Sequence, residues 1–433
     1  MMSYQSKFQP KLFYYQVNLE QKVPKNHILR RVKEKIDFDF IYAEVKDCYG
    51  INGNVSVPPS VILKMMLLLI LYNVRSEREL MNTIPLRLDW LWFLGYDLDH
   101  EIPDHSILSK ARARWGVKAF KRFFERIVTQ CMREGLIEGR KLFVDSSLID
   151  ANASYNSVVD TESLKKYLHK GYRELEKRLE EVQEGKNGEA NERHISITDP
   201  DASVTRHGSG RSKLRYKTHR VVDNKKEVIT ATKITAGSVD DGEMLEAMIE
   251  IHEHNIGREG EVVVGDSRYG TKDNFLLCSE RGIKGHMPSL EETNRGMGCR
   301  EGIFPKEDFV YDREADTFIC PAGQVLRKRN FYKSREHYEY KATKGACSSC
   351  EMRQSCTRAK DGRSLKRHIR QDELGRMLAI AGSAEAKRDL KTRQHLSERS
   401  FAQSTRYGHK RARWRRIWRV QIQDYLIAAV QNI

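Results

Sequence analysis

Two short apolar runs, each closed by an aspartate, limit what this chain can fold into. Leu142, Phe143 and Val144 lead directly into Asp145, and Val262, Val263 and Val264 lead through Gly265 into Asp266. Runs so short and so rich in valine read as buried strands. RYKTHRVVD and EVITATKITAG add strand-like alternation between them, so the middle of the chain reads as an α/β core. In an open α/β sheet, ligand-binding groups emerge at strand ends from a rigid floor. A third carboxylate, Glu398, lies on a later helical stretch, where Phe401 and Ala402 at the following turn predict a packed face. Three crowded carboxylates repel one another unless cations fill the gap. Hard oxygen donors favour Mg²⁺ or Mn²⁺, and two such ions suit an in-line displacement at phosphorus. Taken singly, each aspartate also suits a turn or loop cap, and Glu398 a solvated helix face. Asp150 competes with Asp145, which is preferred because it directly follows the apolar run.

Charge narrows the partner. Lys and Arg number 76 against 60 Asp and Glu, a net charge of +16, and the run after Glu398 carries Arg399, Arg406, Lys410, Arg411, Arg413, Arg415 and Arg416. An acid at the head of a basic helix suits a site that holds metal ions while gripping a phosphodiester backbone. The N-terminus lacks an apolar signal core, and the longest apolar run, Val61 to Val74, is broken by Lys64 and too short to span a bilayer. The chain is therefore expected in the cytoplasm, away from membranes, with its cysteines reduced.

A chain of 433 residues predicts two or three units. Residues 1–135 read as successive short helices capped by Ser56, Ser76 and Asp104, an N-terminal all-α domain for DNA binding or dimerisation; a plain helical bundle reads equally well. Residues 136–290 hold the first part of the core, interrupted at about 160–213 by a charged helix and a polar stretch expected to be a mobile loop. Residues 291–375 form a cysteine-bearing insertion, and 376–433 return to helix and complete the core. Asp199, Asp201, Asp240 and Asp241 read as loop and cap residues. His219, His368, His395 and His409 show no metal-binding spacing, and none of these residues is assigned chemistry.

Cys320, Cys347, Cys350 and Cys356 follow the spacing C-x26-C-x2-C-x5-C. Four thiolates in a reducing compartment favour tetrahedral Zn²⁺ that would help fold an insertion with little core of its own. The same spacing is compatible with a [4Fe-4S] cluster or with unliganded cysteines. No ligand position is left open, so the role is structural or DNA-contacting, not catalytic.

LFVDSSLIDANAS, VVVGDSRYGT and the basic C-terminal motif, together with RSEREL, IPDHSILSKARARWG and the cysteine cluster, resemble bacterial insertion-sequence transposases of the DDE type, in the branch with an N-terminal helical domain and a cysteine-bearing insertion. The resemblance implies an RNase H-like mixed-sheet core in which Asp145, Asp266 and Glu398 hold two Mg²⁺ or Mn²⁺ ions. It implies cleavage at the ends of the element and transfer of the 3′-OH into target DNA, with double-stranded DNA as partner and a homodimer bringing two ends together. Tyr269 would accompany Asp266, and Arg393 and Arg406 would contact phosphates. The chain departs from the pattern at Thr405, where relatives carry a basic residue, and it lacks a tyrosine before Arg393. A related nuclease that only cuts, and a catalytically silent DNA-binding protein, remain open as alternatives.

Overall fold

The computed structural model describes residues 17–50, 56–160, 194–206, 210–293 and 302–433. In chain order, helices Ile28–Lys35 (α1), Phe40–Val45 (α2), Pro59–Leu71 (α3), Glu77–Thr83 (α4), Leu88–Leu94 (α5) and Ser106–Arg133 (α6) precede strand Lys141–Asp150 (β1). Short strands Val158–Asp160 (β2), His194–Ser196 (β3) and Ser203–Thr205 (β4) lead to the long pair Lys213–Val222 (β5) and Ile229–Ala236 (β6). Helix Leu245–Ile256 (α7), strand Val262–Val264 (β7), helix Lys272–Glu280 (α8) and strand Lys284–His286 (β8) follow. Five strands, Val310–Asp312 (β9), Thr317–Ile319 (β10), Val325–Tyr332 (β11), His337–Ala342 (β12) and Ser364–His368 (β13), precede helices Gln371–Ala381 (α9), Ala384–Arg406 (α10) and Ile417–Asn432 (α11). The chain divides into two compact units, one of Met1–Glu134, Leu148–Tyr216 and Phe401–Ile433, the other of Gly135–Ser147 and Lys217–Ser400.

In the first unit, the C-terminal helix is the centre of the packing. Every residue of α11 from Val420 to Val430 is buried, and the helix lies against α3 and α6. A helix apolar on most of its circumference has no solvent face, and α3, with eleven buried residues, is of the same kind. Pro58 and Pro59 start α3. Their fixed φ prepares the first turn without a side-chain cap, so Ser56, expected in that role, lies upstream of it. Ser76 does cap, accepting from Glu79 N at 3.1 Å, and Asp104 accepts from Ser106 N at 2.8 Å. Helix α6 is interrupted at Gly116 (φ 63°, ψ −170°). The expected charged helix within 160–213 lies outside the described residues. The described part of the polar stretch is ordered: β4 pairs antiparallel with β5, and buried Asp199 accepts from Tyr216 Oη at 2.6 Å and Arg416 N at 2.9 Å. Those hydrogen bonds supply anchors that a reading by hydrophobicity does not count.

The second unit is built on a mixed sheet. The strand order is β4-β5-β1-β7-β8, with β6 also paired to β5, and β1 and β5 are each divided between the two units. Strands β1, β7 and β8 run parallel, with Leu142 opposite Val263 and Phe143 opposite Val264. Side chains alternate between faces, so the apolar run must be covered on both. Leu142, Val144 and Val263 enter a core with Leu245, Met248, Ile249, Phe275 and Met377 from α7, α8 and α9. Phe143, Val262 and Val264 face the other way and pack with Leu390 and Leu396 of α10. That helix is fixed near its start by Asp389, which accepts from Lys141 Nζ at 2.9 Å and hydrogen-bonds His286 Nδ1 at 2.7 Å. The cysteine-bearing stretch forms its own antiparallel sheet, in the order β13-β12-β11-β10-β9, around Phe309, Phe318, Leu326, Tyr340 and Leu365. Among the described residues, no helix is long and apolar enough to cross a membrane.

Burial makes His252 of α7 an acid-sensitive point. It is fully enclosed, hydrogen-bonded through Nδ1 to Thr230 Oγ1 at 2.7 Å, and burial pushes its pKa down to about 4, against the opposing pull of the Gly139 carbonyl and Asp223. The unfolded chain binds this proton near pH 6.5, whereas the folded one refuses it until near pH 4. The contribution to stability is therefore complete above pH 6.5 and declines as pH falls through that window, by about 3 kcal/mol at most. Urea unfolding at pH 7 and at pH 4.5 should show a smaller pH-dependent loss in His252→Gln than in the parent chain.

Candidate active site

The parallel register brings the two aspartates toward the same level, although Asp145, expected at a strand end, lies within β1, which runs on to Asp150, while Asp266 lies two residues past the end of β7. Asp145 lies two residues beyond Phe143 and Asp266 two beyond Val264, the pair opposed across β1 and β7. With a side-chain period of two, both continue the face covered by α10. Helix and strand also run in the same direction there, since Asp389 reaches Lys141 and, four residues on, Arg393 reaches Asp145. Arg393 Nη1 donates to Asp145 Oδ2 at 2.9 Å, and Ser146 N donates to Oδ1 at 2.8 Å. Asp266 accepts from Arg268 N at 2.9 Å, which closes a tight turn.

The electrostatics confirm that the groups sense one another. Burial raises the Asp145 carboxyl above the usual range. Arg393, Ser146 N and the Ser397 side chain pull it back only in part, and the charge of Asp266 adds to the rise. Tyr269 is completely buried beneath the pair, its hydroxyl without a hydrogen-bond partner among the described residues. Its pKa is pushed far up by burial and then by Asp241, Asp145 and Asp266.

The glycines of the GDSRYG turn are there for space. A Cβ on Gly265 would stand 2.9 Å from Tyr269 Cβ, and one on Gly270 would stand 1.9 Å from the Pro288 carbonyl oxygen.

A further carboxylate, expected from the sequence as a loop or cap residue, sits in this site. Asp241 is 3% exposed, with Lys217 Nζ at 3.1 Å, Arg268 Nη1 at 3.4 Å and His219 Nδ1 at 3.9 Å. Burial alone would raise its pKa, but the Ser146 hydrogen bond, Lys217 and His219 outweigh it and hold the carboxyl low. The signal available in the sequence was the K-T-H alternation of β5. It puts Lys217 and His219 on one face of a strand whose residues from Tyr216 to Val222 are all buried, where polar side chains need a partner.

Glu398 stands apart from this group. The face of α10 turned to the sheet carries Arg393, Leu396 and Ser397, and Glu398 is one residue further round the helix. Its side chain is exposed and accepts from Gln394 Nε2 at 3.2 Å; Ala402 is exposed too, in contrast to the packed face expected there. Arg399 ion-pairs with Glu227 at 2.8 Å.

Of the other basic candidates, Arg406, Lys410, Arg411 and Arg415 are exposed. Arg415 Nε nevertheless donates to Asn152 O at 3.0 Å, and Arg416 Nη1 lies 4.0 Å from Asp201. Arg413 is held at 2.5 Å by both Val74 O and Asn73 Oδ1.

Cys320, Cys347, Cys350 and Cys356 line a single small cavity of about 20 Å³. Burial raises the Cys356 thiol, Arg363 opposes the shift, and the other three sulfurs add to it. None of the four is in a disulfide. Among the described residues, no group of three or more His, Cys, Asp or Glu side chains is drawn into a metal-holding arrangement, either here or around Asp145.

Two family models match the chain. Residues 17–114 match a transposase domain (DUF772), and residues 319–433 match a transposase DDE domain. The second match includes all four clustered cysteines and Glu398, while Asp145 and Asp266 fall between the two matches. No curated protein and no solved structure matches the chain.

Overpacking gives a direct check on the turn that positions Asp266. Gly265→Ala should cost about 1–3 kcal/mol, and Gly270→Ala more, because the latter must displace backbone, not a side chain. Urea midpoints of the two variants should fall in that order.

Proposed function

Since the chain belongs to the DDE-type insertion-sequence transposases, we propose that it cuts DNA at the ends of its element and joins the released 3′-OH to target DNA. The proposed machinery is an RNase H-like core in which Asp145, Asp266 and Glu398 hold two Mg²⁺ or Mn²⁺ ions. The observation that supports this reading is the parallel pairing of Phe143 with Val264, two residues before Asp145 and Asp266, with Arg393 of α10 donating to Asp145. The donor set fits a hard cation. Arg393 balances Asp145 and Lys217 balances Asp241, which leaves the charge of Asp266 answered chiefly by a backbone N–H. Bound there, the ions supply an activated oxygen nucleophile and stabilise the leaving oxygen.

The chain's own residues do the positioning. In the cutting step, the water oxygen bonds to phosphorus as the bond to O3′ breaks, and the 3′ oxygen leaves as a hydroxyl. In the joining step, that hydroxyl attacks a target phosphodiester and displaces another 3′ oxygen. Arg393, once released from Asp145, offers its guanidinium to the scissile phosphate, a bidentate match that lysine lacks. Arg399, Arg406, Lys410, Arg411, Arg413, Arg415 and Arg416 grip the backbone beyond it. For Glu398 to join the aspartates, its side chain must give up the Gln394 hydrogen bond and turn inward from the exposed face of α10. Joining two ends requires two active sites, so the working form is a homodimer on DNA.

In the cysteine-bearing stretch we propose a structural Zn²⁺ held by Cys320, Cys347, Cys350 and Cys356. Four thiols around one cavity, with like charges raising Cys356, are a donor set that a soft cation relieves.

Asp266→Asn should abolish Mg²⁺-dependent release of the 3′-OH from a duplex carrying the element's end, while salt-sensitive binding of that duplex persists. Cleavage at the parental rate in this variant overturns the metal-site assignment. A parent chain that binds the duplex but never cuts it with Mg²⁺ or Mn²⁺ is instead a silent DNA-binding protein. Elemental analysis should find one zinc per chain, lost in Cys350→Ser. A brown protein carrying iron and labile sulfide replaces zinc with the iron–sulfur cluster.

A further inference from the structure

The first unit contains a cleft of about 400 Å³, within the size range of ligand pockets, lined by Leu69, Arg75, Ser76, Glu77, Arg78, His105, Arg413 and Trp414. Its wall is assembled from stretches remote in sequence. Glu77 receives an ion pair from buried Arg112 at 2.5 Å and a hydrogen bond from Trp414 Nε1 at 3.1 Å, and the Arg112 guanidinium lies over the Trp414 ring at 3.9 Å. Arg413, held by Asn73 and Val74, is fixed in the same wall. The single carboxylate of the lining is thus already neutralised by Arg112. The Arg75 and Arg78 side chains, both exposed, have no hydrogen bond or ion pair with any described residue.

A cleft lined by three guanidinium groups, two of them without a partner among the described residues, and by one neutralised carboxylate carries a net positive charge. We propose that it is a phosphodiester-binding site, in which Arg75 and Arg78 close on a DNA backbone phosphate against the fixed Arg413. Ser76 remains engaged as the cap of α4, and the Trp414 indole N–H is committed to Glu77, so recognition falls to the guanidinium groups. The ligand is read as charge and tetrahedral shape, without a base edge. The proposal rests on DNA being the substrate, but it is independent of the carboxylate site, because binding here requires no divalent ion.

The test is the salt dependence of binding a fluorescein-labelled DNA duplex in EDTA, measured by anisotropy. Each phosphate contact contributes about 0.9 to the slope of log K against log salt. Because Arg75 and Arg78 share one phosphate, the double variant Arg75→Gln, Arg78→Gln should lower the slope by about 1 and leave the thermal midpoint in place, since both side chains are exposed. Ser76→Asp, which keeps an N-capping side chain but adds a carboxylate to the cleft, should weaken duplex binding in the same direction. Parental slopes in both variants overturn the proposal. So does a site for free nucleotide: tight binding of deoxyadenosine monophosphate, lost in the double variant while the duplex slope is unchanged. Duplex binding is read in EDTA and 3′-OH release with Mg²⁺, so failure of the carboxylate assignment and failure of the cleft are read separately.

Discussion

The candidate site depends first on the in-register parallel pairing of β1 with β7. With Phe143 opposite Val264, the pleat carries Asp145 and Asp266 forward to one level and one face. A slip of one residue would turn one aspartate to the opposite side of the sheet, into the core shared by Leu245, Met248 and Phe275. The apolar residues on both faces resist that slip, since each is already buried against helices. Tertiary packing of the strand interior and placement of the chemistry at its end are therefore one constraint.

Around the aspartates, charge is balanced locally and unevenly. Asp145 is desolvated and paired with Arg393, Asp241 is desolvated and surrounded by Lys217, His219 and Arg268, and Asp266 has mainly a backbone donor. A buried carboxylate without a cation is costly, so each arginine or lysine here stabilises the folded chain as well as shaping the site. Arg393 answers to both roles. Its bond to Asp145 keeps the carboxylate compensated, and the same guanidinium is the one proposed to meet a phosphate.

In the first unit, a different polar contact joins segments far apart in the chain. Glu77 from the RSEREL stretch, Arg112 from SKARARWG and Trp414 from RARWRR meet in one ion pair, one hydrogen bond and one cation–π stack. Burying Arg112 at 3% exposure is tolerable because both its charge and its planar face are satisfied. Three motifs that look independent in the sequence are parts of one wall, and the two family matches, which cover different ends of the chain, share it.

The sequence by itself determined the elements. Valine-rich runs had to be buried strands, and the apolar segments at Val61 and near the C-terminus had to be buried helices; the aspartate after Val264 lies beyond its strand, whereas β1 continues past Asp145 to Asp150. The C-terminal stripe of Ile422, Tyr425, Leu426 and Val430 is buried as its spacing implied. Only the tertiary structure decided which polar side chains meet. Asp241 reads as a loop residue until β5 brings Lys217 and His219 against it, and Asp199 reads as part of a loose polar stretch until Tyr216 and Arg416 bind it. Glu398 shows the same limit from the other side, since a helix period fixes its angular position relative to Ser397 but not how the helix is rotated against the sheet. Apolar periodicity is a local property, written within a few turns of chain. The pairing of charges is set by contacts between residues far apart in sequence, and no local pattern encodes it.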